Sequence, residues 1–341
     1  MMTKPTVHDI ARRAGVSLAT VDRVLNARPG VREKTVARVH AAIDDLGYVR
    51  DIQAANLARG RTYRFAFVLP EATTSFLSAL HAEVAEAAAR ARTERITVET
   101  REIPAFDPHV AARVLAGLAD IDGVAVMAPD TPQVRDAARH LRERGTVVVT
   151  LVSDLTGTGR DHFAGINNLA AGRTAGVLMG RFLGARAGSV AVVAGSLMAR
   201  DHVERRLGFD QAMGESFPRL TALPSVEARD SSDMIEALLP ALLRSRREIV
   251  GIYAIGAGHR GLMRVLADHP LPDRPVVVGH ELSESFRRGL AGGAIDAVIN
   301  QDVGHVVRSA MRVLRARVDG TPIIAAQERI RIDIFLKENL Q

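Results

Sequence analysis

Neither cysteine nor tryptophan occurs in these 341 residues, and aromatic side chains make up only 4% of them. Without cysteine there can be no disulfide, no thiolate nucleophile and no thiolate metal ligand. The 11 histidines are scattered. None stands three or four positions from another, so a helical zinc site has no basis and no metal is expected. Long apolar runs are missing too. Stretches such as "SVAVVAG" and "TVVVTLV" fall well short of the roughly 18 residues a membrane helix needs. The opening "MMTKPTVHDIARR" has no apolar signal core, which points to a cytoplasmic protein. The chain also lacks a GxSxG elbow, a Walker loop and an HExxH pair. No catalytic residue and no cofactor is expected.

Lysine is scarce as well: Lys4, Lys34 and Lys337 are the whole set. The basic residues are therefore nearly all arginine, and their placement is uneven. Residues 1–61 hold eleven basic and six acidic side chains, a surplus of five, while the other 280 residues carry a surplus of one. A cationic head on a nearly neutral body is the electrostatic footprint of a nucleic-acid binder. With 47% hydrophobic and 25% charged residues, the chain can bury a core, and its length suggests two or three compact units.

The head reads as short helices. Thr6, with Asp9 three residues on, opens a first helix over about Val7–Ala14. Gly15 supplies a tight turn, and Ser17 caps a second helix over Leu18–Asn26. "ARPGV" then interrupts, and a third helix covers about Glu33–Leu46. Helix, glycine, short helix is helix-turn-helix spacing. Ile10, Ala11, Val16, Val21, Val24 and Leu25 take the inner positions. Leu18, Ala19, Asp22, Arg23 and Asn26 fall on the outer stripe of the second helix, the stripe a recognition helix shows to base edges. A generic helical hairpin is the competing reading. "DIQAANLARG", Asp51–Gly60, follows as a helical segment too short to be stable alone.

From Arg64 onward strands and amphipathic helices alternate: "RFAFVL", "ITVETREI", "GVAVMA", "TVVVTLV", "FAGI", "SVAVVAG", "TALPSV", "IVGIYAI", "PVVVGH", "DAVIN" and "RIRIDIF". Crossover helices between strands imply parallel, doubly wound sheets. This many strands implies two lobes, with ligand bound in the cleft beyond the strand carboxyl ends. One turn, "IGAGHRG" at Gly256, Gly258 and Gly261, fits a dinucleotide fingerprint, and Glu281 stands twenty residues further on. An NAD(P)-dependent oxidoreductase using the Gly256–Gly261 loop is therefore the alternative. The motif comes late in a series of similar repeats, however, whereas a dinucleotide fingerprint opens its domain.

The stretch "TVHDIARRAGVSLATVDRVLNARPGVREKTVARVHAAIDDLGYVRD" resembles the DNA-binding head of LacI/GalR-family transcriptional regulators, through "DIARRAGVS", "TV-RVLN", "V--KT---V" and "LGY". The resemblance implies that Leu18 and Ala19 read bases, packing on thymine methyls, and that Arg23 carries the polar contact. It places Thr6, His8, Ser17, Thr20, Asn26 and Thr35 near the phosphates. Asp22 departs from the family's serine; it would orient Arg23 or accept from a cytosine. By the same resemblance the two-turn segment is a hinge helix whose Leu57 wedges into the minor groove, although packing of Leu57 on the sensor is the competing reading. Arg50 stands where a proline often precedes this hinge.

The remainder resembles the family's periplasmic-binding-protein-like sensor, through "TTSFLSAL", "VVTLVSDL", "INNLAAGRTAG", "VAGS" with "ERRLGF", and "INQD". Phe76 then matches a ring-stacking aromatic, with Thr74 beside it. Arg205 matches a hydroxyl-holding arginine, Glu281 stands at an aspartate position, and Gln301 matches a polar cleft residue. Ser153, Asp154 and Asn168 complete the expected effector set. The competing readings are that Phe76 is core, that Arg205 and Glu281 pair only with each other or with surface groups, and that Asp154 caps a loop. The resemblance implies a homodimeric repressor, or a tetramer, that binds double-stranded operator DNA under the control of a small sugar or polyol. The expected boundaries are 1–50 for the helix-turn-helix head, 51–61 for the hinge and 62–341 for the sensor. Lobe 1 is expected over about 62–165 and 297–321, and lobe 2 over about 166–296 and 322–341.

Overall fold

The computed structural model describes residues 5–25, 28–48, 61–268 and 273–340. It divides into two compact units, Met1–Arg61 and Thr62–Gln341. The expected positions Asn26, Arg50 and Leu57, and all of the hinge segment except Arg61, lie outside the described residues.

Among its described residues the regular structure of the first unit is helical: α1 (Val7–Ala14), α2 (Leu18–Leu25) and α3 (Glu33–Leu46). Thr6 donates its backbone N–H to Asp9 Oδ2 at 2.9 Å, which fixes the start of α1. Gly15 turns the chain at φ +60°, a conformation that costs glycine little. Ile10, Ala11, Ala14, Val21, Val24, Val39 and Ala42 are buried together, and Val16 and Leu25 pack on them. The inner and outer faces of α2 thus follow the apolar spacing.

The second unit contains two sheets. The first, in order β2-β1-β3-β4-β5, comprises β1 (Tyr63–Pro70), β2 (Ile96–Ile103), β3 (Gly123–Val126), β4 (Val147–Leu151) and β5 (His162–Ala164), all parallel. Alternate side chains of a strand face opposite ways. Phe65 and Phe67 of β1 therefore meet α4 (Ser75–Ala91) and α12 (Val303–Val318), while Ala66 and Val68 meet α5 (Pro108–Ala116) and α6 (Pro132–Glu143).

The second sheet has the order β11-β10-β9-β8-β6-β7, from β6 (Gly188–Ala194), β7 (Leu220–Glu227), β8 (Ile249–Ala254), β9 (Val276–His280), β10 (Ala297–Asn300) and β11 (Asp333–Phe335). One face carries α7 (Asn168–Leu183) and α8 (Arg200–Ser216). The other carries α9 (Ser232–Ser245), α10 (His259–Asp268) and α11 (Glu284–Ala291). Two details differ from expectation. The edge strand β11 runs antiparallel to β10, because the chain returns to this sheet from the opposite end. In addition, the chain re-enters the first lobe after Asn300, not before Ala297. Residues Ala297–Ile299 are hydrogen-bonded to Val278–His280 of the second sheet, and only α12 beyond them packs on the first.

Candidate effector cleft and DNA-reading face

On the head, Leu18 is 42% exposed although its helix buries Val21 and Val24. Ala19, Asp22 and Arg23 are exposed beside it. Ser17 and Thr20 are tied to each other, hydroxyl to hydroxyl, at 2.9 Å, and Ser17 Oγ also accepts the Thr20 N–H at 3.2 Å. His8 is exposed in the first turn of α1, and Thr35 is half-buried on α3. Asp22 pairs with Arg28, from the loop after α2, at 3.3 Å, which offsets its charge.

In the second unit, the carboxyl ends of both sheets converge on an inner cavity of about 60 Å³. It adjoins an outer cleft of about 980 Å³, and Thr74, Phe76, Phe106, Asp230 and Glu281 line both. Backbone in the left-handed region clusters there: Phe106 at φ +60°, Val152 at +61°, Asp230 at +57° and Glu281 at +69°. Such conformations cost of order 1–3 kcal/mol each and persist where a site requires them.

Of the expected effector residues, Thr74, Phe76, Ser153 and Glu281 line the inner cavity. The Thr74 hydroxyl accepts the Leu77 N–H at 3.2 Å, capping α4 and fixing Phe76 one turn in. Arg205 is fully buried and stands behind the wall. It donates from Nε to Asn168 Oδ1 at 2.9 Å and from Nη1 to the Ile255 carbonyl at 3.0 Å. Asn168 in turn donates to the Val152 carbonyl at 3.1 Å, so it is a bracket for Arg205 and not a cavity lining.

Four of the expected effector residues thus lie outside both cavity linings: Arg205 and Asn168 behind the wall, and also Asp154 and Gln301. Asp154 does not face the cavity. It accepts from Thr150 Oγ1 at 2.7 Å and pairs with Arg160, anchoring its own loop. Gln301 is buried and, among the described residues, neither its amide oxygen nor its nitrogen has a partner; it lies outside both cavity linings.

Sequence reasoning missed Asp201, His202, Asp230 and Phe106, all of which line the cavity. Asp201 stands one helical turn before Arg205, a spacing at which opposite charges meet. Its Oδ2 lies 3.7 Å from Arg205 Nη2, and Glu281 Oε1 lies 3.9 Å from Arg205 Nη1. Asp230 accepts the Ala257 N–H at 2.8 Å. The two lobes touch across the cleft where Arg200 meets Asp130 at 3.6 Å and the Asp201 N–H reaches Ser153 Oγ at 3.4 Å.

The same contacts explain the glycine fingerprint. A Cβ on Gly256 would stand 2.4 Å from Asp230 Oδ1, and one on Gly261 would stand 2.2 Å from the Ser232 carbonyl. Gly256 thus makes room for the Asp230 turn and Gly261 lets the starts of α9 and α10 approach closely, and the Ala257 amide that could have held a phosphate is occupied by Asp230.

Burial pushes the Glu281 carboxyl up to about 8, against a partial opposing pull from Arg205. The folded protein therefore keeps a proton that the unfolded chain releases near 4.5, so stability falls as pH rises from about 4.5 to 8. Glu281→Gln imitates the neutral acid. Its melting temperature should match the native chain near pH 5 and exceed it by a few degrees near pH 8.5, as thermal unfolding across that range would record.

Comparison with known proteins agrees with this geometry. Residues 6–51 match the family model for bacterial regulatory proteins, lacI family, and residues 65–322 match the periplasmic binding protein domain. The chain belongs to the LacI family. It joins a head of that family to a periplasmic-binding-protein domain. It is 41% identical over 83 residues to the uncharacterized HTH-type transcriptional regulator YkvZ of Bacillus subtilis, covering 24% of this chain and 26% of the relative. It is 30% identical over 151 residues to catabolite control protein A of Streptococcus mutans, covering 44% of each. These alignments thus span less than half of either relative. The fold is similar to that of GanP, a glucose-galactose binding protein from Geobacillus stearothermophilus, with a TM-score of 0.74 and 19% identity over 82% of this chain and 99% of that one. The matched curated relatives are regulators and not enzymes, and nothing favours the oxidoreductase alternative. No helix among the described residues is long and apolar enough to cross a membrane.

Proposed function

We propose that this LacI-family chain is a cytoplasmic transcriptional repressor that binds a near-palindromic operator as a homodimer. Its affinity for DNA is set by a small sugar or polyol in the sensor cleft. The observation that carries this reading is the exposed stripe Leu18, Ala19, Asp22 and Arg23 of α2, on a helix whose Val21 and Val24 are buried in the head's core. Nothing in the head's own packing requires a leucine in water, whereas a groove reader does. The sugar or polyol reading is supported by Phe76 standing beside clustered hydrogen-bonding groups, and by the sugar-binding relative of similar fold. Effector acts through its different affinity for the closed and open cleft, and a coupling of about 1–3 kcal/mol changes operator occupancy roughly 5–150-fold. The lobe contacts at Arg200–Asp130 and Asp201–Ser153 are the ones such closure makes and breaks.

Gel shifts on the DNA upstream of the chain's own gene, at several salt concentrations, test this. A sequence-specific footprint lost steeply with salt is the expected result. Arg23→Ala should weaken it by about 1–3 kcal/mol and leave ligand binding in the sensor unchanged. Equal affinity for unrelated DNA, or loss of ligand binding along with the footprint, counts against the proposal.

A further inference from the structure

We propose that the inner cavity admits an uncharged, hydroxyl-bearing end of the effector and rejects carboxylate and phosphate groups, with Asp201 as the residue that sets this choice. The inference rests on the sugar or polyol reading above and narrows it. What a ligand meets in that cavity is carboxyl groups: Asp201 and Asp230 line it beside Glu281, whose burial keeps its proton near neutrality. Among the described residues no arginine lines it: Arg205 is fully buried behind these groups and already holds Asn168 and the Ile255 carbonyl, while Arg229 and Arg260 line only the outer cleft.

The places where this fold could hold an anion are filled from within. The start of α8 would present free amides and a positive dipole end. It instead carries Asp201 in its first turn, and the Asp201 N–H is directed to Ser153. The glycine-rich turn before α10 would do the same, but its Ala257 amide is bonded to Asp230. Gly195 and Gly256 make room for that carboxylate, since a Cβ on either would stand 2.2 or 2.4 Å from Asp230 Oδ1. An incoming anion therefore finds like charge where it needs donors.

Two buried atoms, one in the cavity lining and one directly behind it, mark what the site accepts. Asp201 Oδ1 and Arg205 Nη2 have no hydrogen-bond partner among the described residues, and Asp201 is 3% exposed. One atom only accepts and the other only donates. A hydroxyl satisfies both, whereas an ammonium cannot accept from Arg205 and a carboxylate cannot donate to Asp201. Glu281, pushed up to about 8 by burial, offers the same hydroxyl a further donor near neutrality. The volume of about 60 Å³ takes the end of a sugar, with the rest in the outer cleft.

Isothermal titration of the full-length protein with matched probes tests this: D-ribose, D-ribonate and D-ribose 5-phosphate; D-galactose, D-galactonate, D-galactose 6-phosphate and D-galactosamine. Binding should be confined to the neutral sugars, by at least about 100-fold over their anionic partners, the scale of a like-charge clash. Asp201→Asn, of equal shape, should narrow that gap at least tenfold in the folded variant, whose melting temperature falls with the loss of its pairing to Arg205. An anionic or amino probe that binds native protein as tightly as its neutral parent overturns the inference and leaves the sugar reading standing. An unchanged gap in a folded Asp201→Asn removes Asp201 from the role. The native-protein panel decides the selectivity even where the variant fails to fold. Silence from every probe counts against the sugar reading itself, and the inference falls with it.

Discussion

Replacing Arg205 with methionine should destabilise the second unit by about 3–5 kcal/mol and abolish its ligand binding. The guanidinium is fully buried and lies 3.7 and 3.9 Å from Asp201 and Glu281, with His202 Nε2 also 3.7 Å from Asp201. Its removal leaves the Asn168 side-chain oxygen and the Ile255 carbonyl without their donor, and each such orphan costs about 1–3 kcal/mol. Glu281, already holding its proton near neutrality, loses little, whereas Asp201 loses the guanidinium beside it. The double variant Arg205→Met, Asp201→Asn should therefore recover part of the loss. Urea unfolding followed by circular dichroism would show a lower midpoint for the single variant and an intermediate one for the double. If the single variant unfolds at the native midpoint, Arg205 is not holding the cleft wall together.

Much of this architecture could be read before any coordinates. Each of the eleven strand candidates overlaps a strand, although only Asp333–Phe335 of "RIRIDIF" is one; the central strands were legible because buried parallel strands leave short apolar runs between helices. The head was legible for a different reason: Gly15, the buried Val21 and Val24 and the exposed Leu18 obey local helical geometry. The site was legible only in part. Thr74, Phe76 and Glu281 sit next to strand ends, where position along the chain already implies the cleft. Asp201 and Asp230 were overlooked because a carboxylate at a helix start or in a turn usually serves as a cap. Only the three-dimensional convergence of α8 with the loop before α9 shows them sharing a cavity. Asp154 misled in the opposite direction: it follows Ser153 directly, but the left-handed turn at Val152 sends successive side chains to different sides. The glycine fingerprint misled because a spacing of glycines reports close backbone approach, whatever it is that approaches.

Glycine-to-alanine exchange at Gly172 or Gly208 should be as damaging as the loss of many core side chains, and the same exchange at Gly214 should stabilise. Both motifs that marked the sensor, "INNLAAGRTAG" and "ERRLGF", carry one of these glycines, and the structure shows why. Helices α7 and α8 cross so closely that a Cβ on Gly172 would stand 1.9 Å from the Arg205 carbonyl oxygen, and one on Gly208 would stand 2.0 Å from that of Leu169. Backbone atoms cannot turn aside as a side chain can, so the pair must separate. Overpacking of this kind costs typically about 1–3 kcal/mol and sometimes more. The shift also moves Arg205, whose own carbonyl is the point of contact, so ligand affinity should fall in the same variants. Gly214 lies on the exposed side of α8 with nothing within 4 Å of its would-be Cβ. There alanine only restricts the unfolded chain, and a gain of roughly 0.5–1 kcal/mol is expected. Thermal unfolding of the three single variants separates a steric requirement from simple helix propensity. Propensity alone would raise all three melting temperatures, whereas the interlocked crossing lowers two and raises one.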